Sequence, residues 1–212
     1  MFIPKITNNL PNLLTSLRFA LTPIFLNIFY FQFLFPEKKI LEYFTILLFF
    51  GICLSDILDG FLARRNGITS TFGMYFDISA DFFFRFSTLL LFSYLKILPL
   101  YLVVVYSIFF IEFIIISKIN NTWNITSGVN IFRKTAPVLY TLFIGVIIFK
   151  DLLPDAISQL INLSKISYIM LVITLLAVVE NLVFFVIPAE AGIQKKRKCR
   201  VRLRRERSRT KT

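Results

Sequence analysis

The stretch Asp56-Ile57-Leu58-Asp59-Gly60-Phe61-Leu62-Ala63-Arg64-Arg65-Asn66-Gly67-Ile68-Thr69-Ser70-Thr71-Phe72-Gly73-Met74-Tyr75-Phe76-Asp77-Ile78-Ser79-Ala80-Asp81 holds four of the chain's 12 acidic residues. Each adjoins or lies inside an apolar segment. A carboxylate inside a bilayer costs about 2.5–3.5 kcal/mol on insertion scales, so it is expected to face a polar interior and to have a function there. Asp56 and Asp59 are three apart and Asp77 and Asp81 four apart, so on helices each pair shares one face. Asn66-Gly67 is a turn signal and Ser70-Thr71 a helix start, which gives helix, turn, helix. Two carboxylate faces brought together make a cage of hard oxygen ligands suited to Mg²⁺ or Mn²⁺. Gly60 lets a helix or ligand approach its backbone closely, and Ala63 is the next small residue on roughly that face. Arg64 and Arg65 set positive charge beside the cage, where a phosphate oxygen is welcome. Arg85, one turn beyond Asp81, could instead neutralise a carboxylate.

The chain around this stretch is too apolar for an ordinary soluble domain. Its 212 residues are 57% hydrophobic, with a mean hydropathy of +0.74. Six apolar runs read as membrane-spanning helices: Leu17–Phe35, Ile40–Leu54, Met74–Leu98, Pro99–Ile116, Ala136–Leu153 and Ile166–Ile187. The second is short and is expected to continue into the polar stretch after it. The expectation is an all-α integral membrane bundle of six helices over residues 1–187, with an uncleaved first span, since no small-x-small site follows the first apolar run.

The net charge of +12 is concentrated in one place. Residues 195–212 hold eleven of the 24 basic residues and one of the 12 acidic ones; the rest of the chain has 13 and 11, a balance of only +2. Residues 188–212 therefore read as a basic, solvated tail that leans on anionic lipid headgroups, with no aromatic or motif context for nucleic acid. There is no histidine, which excludes His-based triads, His zinc sites and imidazole acid–base chemistry. Cys53 and Cys199 support neither a disulfide framework nor a thiolate site. Any general base must be a carboxylate, a lysine or something weaker.

The spacing Asp56-x2-Asp59-Gly60-x2-Ala63-Arg64-x8-Gly73-x3-Asp77-x3-Asp81 resembles the signature of the CDP-alcohol phosphatidyltransferase family at every fixed position. Pro11-Asn12-x2-Thr15-x2-Arg18 is similar to the family's segment before the first span. The resemblance implies a six-helix membrane fold, commonly a homodimer, with a polar, metal-binding cavity open to the cytosol. It implies that Asp56, Asp59, Asp77 and Asp81 hold two divalent ions, Mg²⁺ or Mn²⁺, over a diphosphate. Asp81 is then also the base toward the acceptor hydroxyl. Gly60, Ala63, Arg64, Ser70 and Gly73 fall at positions for the CDP-linked lipid, and Asn12 and Thr15 at the N-terminal nucleotide contacts. The implied reaction moves a phosphatidyl group from CDP-diacylglycerol to an alcohol and releases CMP, in phospholipid biosynthesis at the bacterial inner membrane.

Glycerol 3-phosphate is the first expectation for the acceptor, although the chain departs from relatives that use it. Asp77-Ile78-Ser79-Ala80-Asp81-Phe82 lacks the Pro and Lys of their Asp-Pro-x-Ala-Asp-Lys, and Ile111-Glu112 stands where they tend to carry Arg-Glu. Arg133-Lys134-Thr135 either binds an acceptor phosphate or marks a cytoplasmic loop. Glu180 beside Asn181 reads as a helix–helix hydrogen bond, while Glu37, Glu42, Asp151 and Asp155 read as loop charges. Lys5, Arg18, Arg64, Arg65, Lys118, Arg133 and Lys134 on one side outnumber Lys38, Lys39, Lys96, Lys150 and Lys165 on the other, which puts the Asp cluster in the cytosol. A cation transporter explains buried carboxylates but not Gly60, Ala63, Arg64 and Gly73 at their spacing. An aspartate-rich intramembrane prenyltransferase needs two separated Asp motifs and more helices.

Overall fold

A computed structural model describes residues 10–66, 71–119, 131–154 and 161–183, without the side chains of 10–12, 59–66, 71, 72, 74, 116, 117, 119, 131–134 and 151. The side chains of Asn12, Asp59, Gly60, Ala63, Arg64, Ser70, Arg133 and Lys134, and the segment 188–212, thus lie outside the described residues. Six α-helices and no strand occur among the described residues: α1 Leu10–Leu34, α2 Lys39–Asn66, α3 Thr71–Tyr94, α4 Leu100–Ile119, α5 Ile131–Phe149 and α6 Leu163–Val183. A 3-10 turn, Lys150–Leu152, follows α5.

The helices correspond to the six apolar runs, with instructive differences at their ends. α1 starts seven residues before the apolar run at Leu17, so Thr15 and Arg18 belong to the first helix and do not precede it. Pro11 accounts for this locally: its fixed φ and missing N–H suit a first helical turn. α2 does continue through the polar stretch, to Asn66. α3 stops at Tyr94, short of the expected Leu98. Lys96 adopts φ 59°, with Ile97 N–H donating to Phe92 O at 2.9 Å and Lys96 N–H to Ser93 O at 3.0 Å. This is the left-handed cap that closes a helix, and Pro99 prevents its resumption.

Burial follows the helical period. On α3, Phe84, Thr88 and Phe92 are buried at four-residue steps; on α6, Ser167, Met170, Thr174, Ala177 and Asn181 are buried at alternating steps of three and four. α1 packs on α2 and α3, and α3 packs in turn on α4 and α5. Phe25 of α1 joins these layers, its ring 5.6 Å from that of Phe84 on α3. Two polar pairs tie α6 to the bundle: the half-buried Tyr101 with Ser167 at 3.1 Å, and the buried Tyr140 with Thr174 at 2.8 Å. Asn181 is the next position in that series. It is fully buried, and neither amide atom has a partner among the described residues.

The outward faces are apolar. Leu47, Leu54, Leu142 and Val172 are each more than half exposed, an arrangement that water disfavours and lipid tolerates. α1, α2 and α6 are long and apolar enough to cross a membrane, and α4 and α5 contain shorter apolar stretches, Leu100–Ile115 and Thr135–Phe149. α3 has 24 residues but carries Asp77, Asp81 and Arg85. The protein is an integral membrane bundle whose central helix carries charge toward its interior.

Because Phe25 joins α1 to α3, Phe25→Ala is expected to cost about 3–5 kcal/mol, the usual loss for a buried aromatic. Thermal unfolding of the detergent-solubilised protein measures this, and an unchanged midpoint would remove Phe25 from the core.

Candidate metal centre and active site

Three helices meet at one end of the bundle, each contributing charge. Arg18 lies two turns into α1, Asp56 near the end of α2, and Asp77 and Asp81 in the first half of α3. The Arg18 guanidinium is only 1% exposed and faces all three carboxylates. Its Nη1 donates to Asp77 Oδ1 at 3.0 Å and to Asp81 Oδ1 at 2.7 Å, and its Nη2 lies 3.3 Å from Asp56 Oδ1. Arg85 completes the set as the sequence allowed, with Nη2 donating to Asp81 Oδ2 at 3.1 Å. Its Nε donates to Thr141 Oγ1 of α5 at 2.9 Å, which fixes the direction of the side chain.

The structure therefore gathers three of the four predicted carboxylates, and the side chain of Asp59 lies outside those described. Thr15 is buried one turn before Arg18 on α1, and Gly73 lies on α3 one turn before Asp77. What the sequence reading missed is Arg18 as part of the cluster. A lone basic residue near the N-terminus passes for a topological marker. The available signal was its spacing: Asn12, Thr15 and Arg18 recur every three residues, one stripe once the helix is known to begin at Leu10. As a buried ion-pair partner Arg18 is no loop charge. Removing it leaves six basic residues against five, so the charge bias weakens further.

The donor set fits a hard divalent cation. One oxygen from each of Asp56, Asp77 and Asp81 lies within 4.8 Å of the others, near the roughly 4.2 Å that opposite ligands of Mg²⁺ span and within the wider reach of larger hard ions. Arg18 uses these same carboxylates, so a cation held by all three would have to compete with its guanidinium. Three carboxylates against two guanidiniums leave a net charge of −1 among these five side chains, still favourable to a cation.

One side of the cluster opens on a cavity of about 240 Å³ between α3, α4 and α5. Asp56, Asp81 and Arg85 form its polar edge, and Phe82, Phe109, Phe110 and Phe113 its wall. Phe82 occupies the position where Lys was noted in relatives. Its ring stacks on Phe110 with centroids 3.7 Å apart. Charge on one side and aromatic rings on the other suit an amphipathic ligand.

Comparison with known proteins agrees with this geometry. The profile of the CDP-alcohol phosphatidyltransferase family matches residues 8–187. The chain is similar to CDP-diacylglycerol–glycerol-3-phosphate 3-phosphatidyltransferases from several bacteria. It is 40% identical over 73 residues to that of Pectobacterium atrosepticum, covering 34% of this chain and 37% of the relative. It is 34% identical over 77 residues to that of Rickettsia prowazekii, covering 36% and 40%. The Salmonella typhimurium protein matches at 37% over 73 residues, covering 34% and 37%. These alignments span well under half of either partner, whereas the family profile covers most of the chain. The chain belongs to the CDP-alcohol phosphatidyltransferase family.

Proposed function

We propose that this protein transfers a phosphatidyl group from CDP-diacylglycerol to the hydroxyl of glycerol 3-phosphate, releasing CMP. The observation that carries the reading is the convergence of Asp56, Asp77 and Asp81 within 4.8 Å at the edge of an aromatic-walled cavity. A transfer of this type needs little covalent help from the protein. It needs a diphosphate held in line, with charge on its oxygens neutralised.

Asp56, Asp59, Asp77 and Asp81 would hold two divalent ions, Mg²⁺ or Mn²⁺. The chemistry such ions supply when bound is neutralisation of the non-bridging phosphate oxygens and of the departing CMP. The remaining work falls to the protein's own groups. The acceptor oxygen attacks the phosphorus that bears the diacylglycerol, and the bond from that phosphorus to the CMP oxygen breaks. Asp81 takes the hydroxyl proton and passes it to water. Both Asp81 oxygens now accept bonds from guanidiniums, so one bond must open for this. Arg18 is the better candidate to yield, because it is shared with Asp56 and Asp77, while Arg85 is anchored on Thr141. Thr15, Gly60, Ala63, Arg64, Ser70 and Gly73, with Asn12, would contact the CDP-linked lipid, and Arg133 and Lys134 the acceptor phosphate. Turnover is assigned to residues before the basic segment 188–212, which lies outside the family match. The protein is proposed to act as a homodimer in the bacterial inner membrane with this end toward the cytosol.

Asp81→Asn keeps the side-chain shape but can neither take a proton nor offer a charged ligand. CMP release by the purified variant is expected to fall by about 10²–10⁴-fold, the scale of a positioned base. Near-normal release would remove Asp81 from the mechanism.

Arg18→Gln leaves three carboxylates facing one another without their shared cation. Breaking a buried pair costs about 3–5 kcal/mol, and the partial exposure of the carboxylates reduces this to about 1–3 kcal/mol here. Unfolding in detergent with EDTA should show that loss, and added Mn²⁺ should recover much of it. Equal destabilisation with and without Mn²⁺ would mean that Arg18 and the cation do not share ligands.

A further inference from the structure

We infer that the end of the bundle opposite the carboxylates is a binding site for an anionic phospholipid whose headgroup carries hydroxyl donors. A cavity of about 510 Å³ opens there between the end of α1, the start of α2, the end of α5 and the start of α6. Gln32 is 14 residues from Arg18 on α1, and Glu42 is 14 residues from Asp56 on α2. Each separation corresponds to about 21 Å of helix, so this cavity is distinct from the catalytic one.

Its lining combines three chemistries. Lys38, Lys39 and Lys150 bring three positive charges to the rim, and Glu42 contributes one negative charge. The resulting balance of +2 favours an anion. Gln32 Oε1 and Glu42 Oε1 are buried acceptors with no hydrogen-bond partner among the described residues, and each is costly to leave unmet. Glu42 is thus not the loop charge its sequence position indicated. It lies in the first turn of α2, half-buried, and makes no ion pair with the nearby lysines. The rest of the wall is largely apolar and includes Phe29.

A phosphate explains the lysines but not the two acceptors. A headgroup with hydroxyls beside its phosphate satisfies both, and acyl chains suit the apolar wall. A choline headgroup has no donor to give. Bilayer lipid is the source that fits a site at the end of spanning helices, where long basic side chains snorkel to the headgroups of either leaflet. This inference does not depend on the proposed reaction.

The test uses full-length protein in neutral detergent with EDTA, read by native mass spectrometry. Dioctanoyl phosphatidylglycerol and dioctanoyl phosphatidylcholine are compared, with inorganic phosphate as competitor. Retention of phosphatidylglycerol should exceed that of phosphatidylcholine by about tenfold, given the attraction expected from several basic residues. The combined variant Lys38→Gln, Lys39→Gln, Lys150→Gln should lose that preference while CMP release, assayed separately with Mn²⁺, stays unchanged. Lys150→Gln alone should lose part of it, which keeps the test open if the triple variant fails to insert. Equal retention of phosphatidylcholine, unchanged preference in the variants, or displacement by inorganic phosphate would each overturn the proposal.

Discussion

The Arg18 guanidinium is the point on which the rest of the structure turns. It joins three carboxylates from two helices to a third, at 2.7, 3.0 and 3.3 Å. Carboxylates set this closely repel one another, and the low dielectric of a bundle interior strengthens the repulsion. One buried cation shared among them lets α1, α2 and α3 pack with their polar stripes inward. The planar fork of arginine suits this task better than the point charge of lysine, since it places two nitrogens against different partners at once.

The same arrangement explains why α3 is polar at one end and aromatic along its length. Its carboxylates must face inward at the site, where Arg18 and Arg85 meet them. Phe84, Leu89 and Phe92 then bury the remainder of the helix. Arg85 reaches from α3 to Thr141 on α5, so α5 also takes its position relative to the acidic cluster. Farther along, the buried Tyr140–Thr174 pair carries this order to α6. The six described helices are thus connected to the site by specific polar contacts laid through an apolar core.

Much of this was legible in the sequence. Four Asp at steps of three and four inside apolar runs specify helical faces, because the helical period leaves such residues no other way to converge. The helix count followed from hydropathy alone. Arg18 was not legible in its role, because one charge near a helix start reads equally well as a topological marker. Its function depends on where α2 and α3 lie, which is tertiary information. Asn181 is a buried amide in a span, where a partner is usual, and none occurs among the described residues. Glu42 looked like a loop charge because its apolar surroundings come from the ends of α1, α5 and α6, remote in sequence. Phe82 read as the loss of a basic residue, whereas in the fold it is a packing residue stacked on Phe110.

The central claim is that the acidic cluster carries out phosphatidyl transfer to a small alcohol. The most direct measurement is CMP release by purified protein given CDP-diacylglycerol and Mn²⁺, with one acceptor at a time: glycerol 3-phosphate, serine, inositol, inositol phosphate or phosphatidylglycerol. The account predicts stoichiometric CMP and lipid product with glycerol 3-phosphate, abolished by EDTA and restored by Mn²⁺ or Mg²⁺. Correctly inserted protein that releases no CMP with any acceptor, or that turns over after thorough chelation, would contradict it.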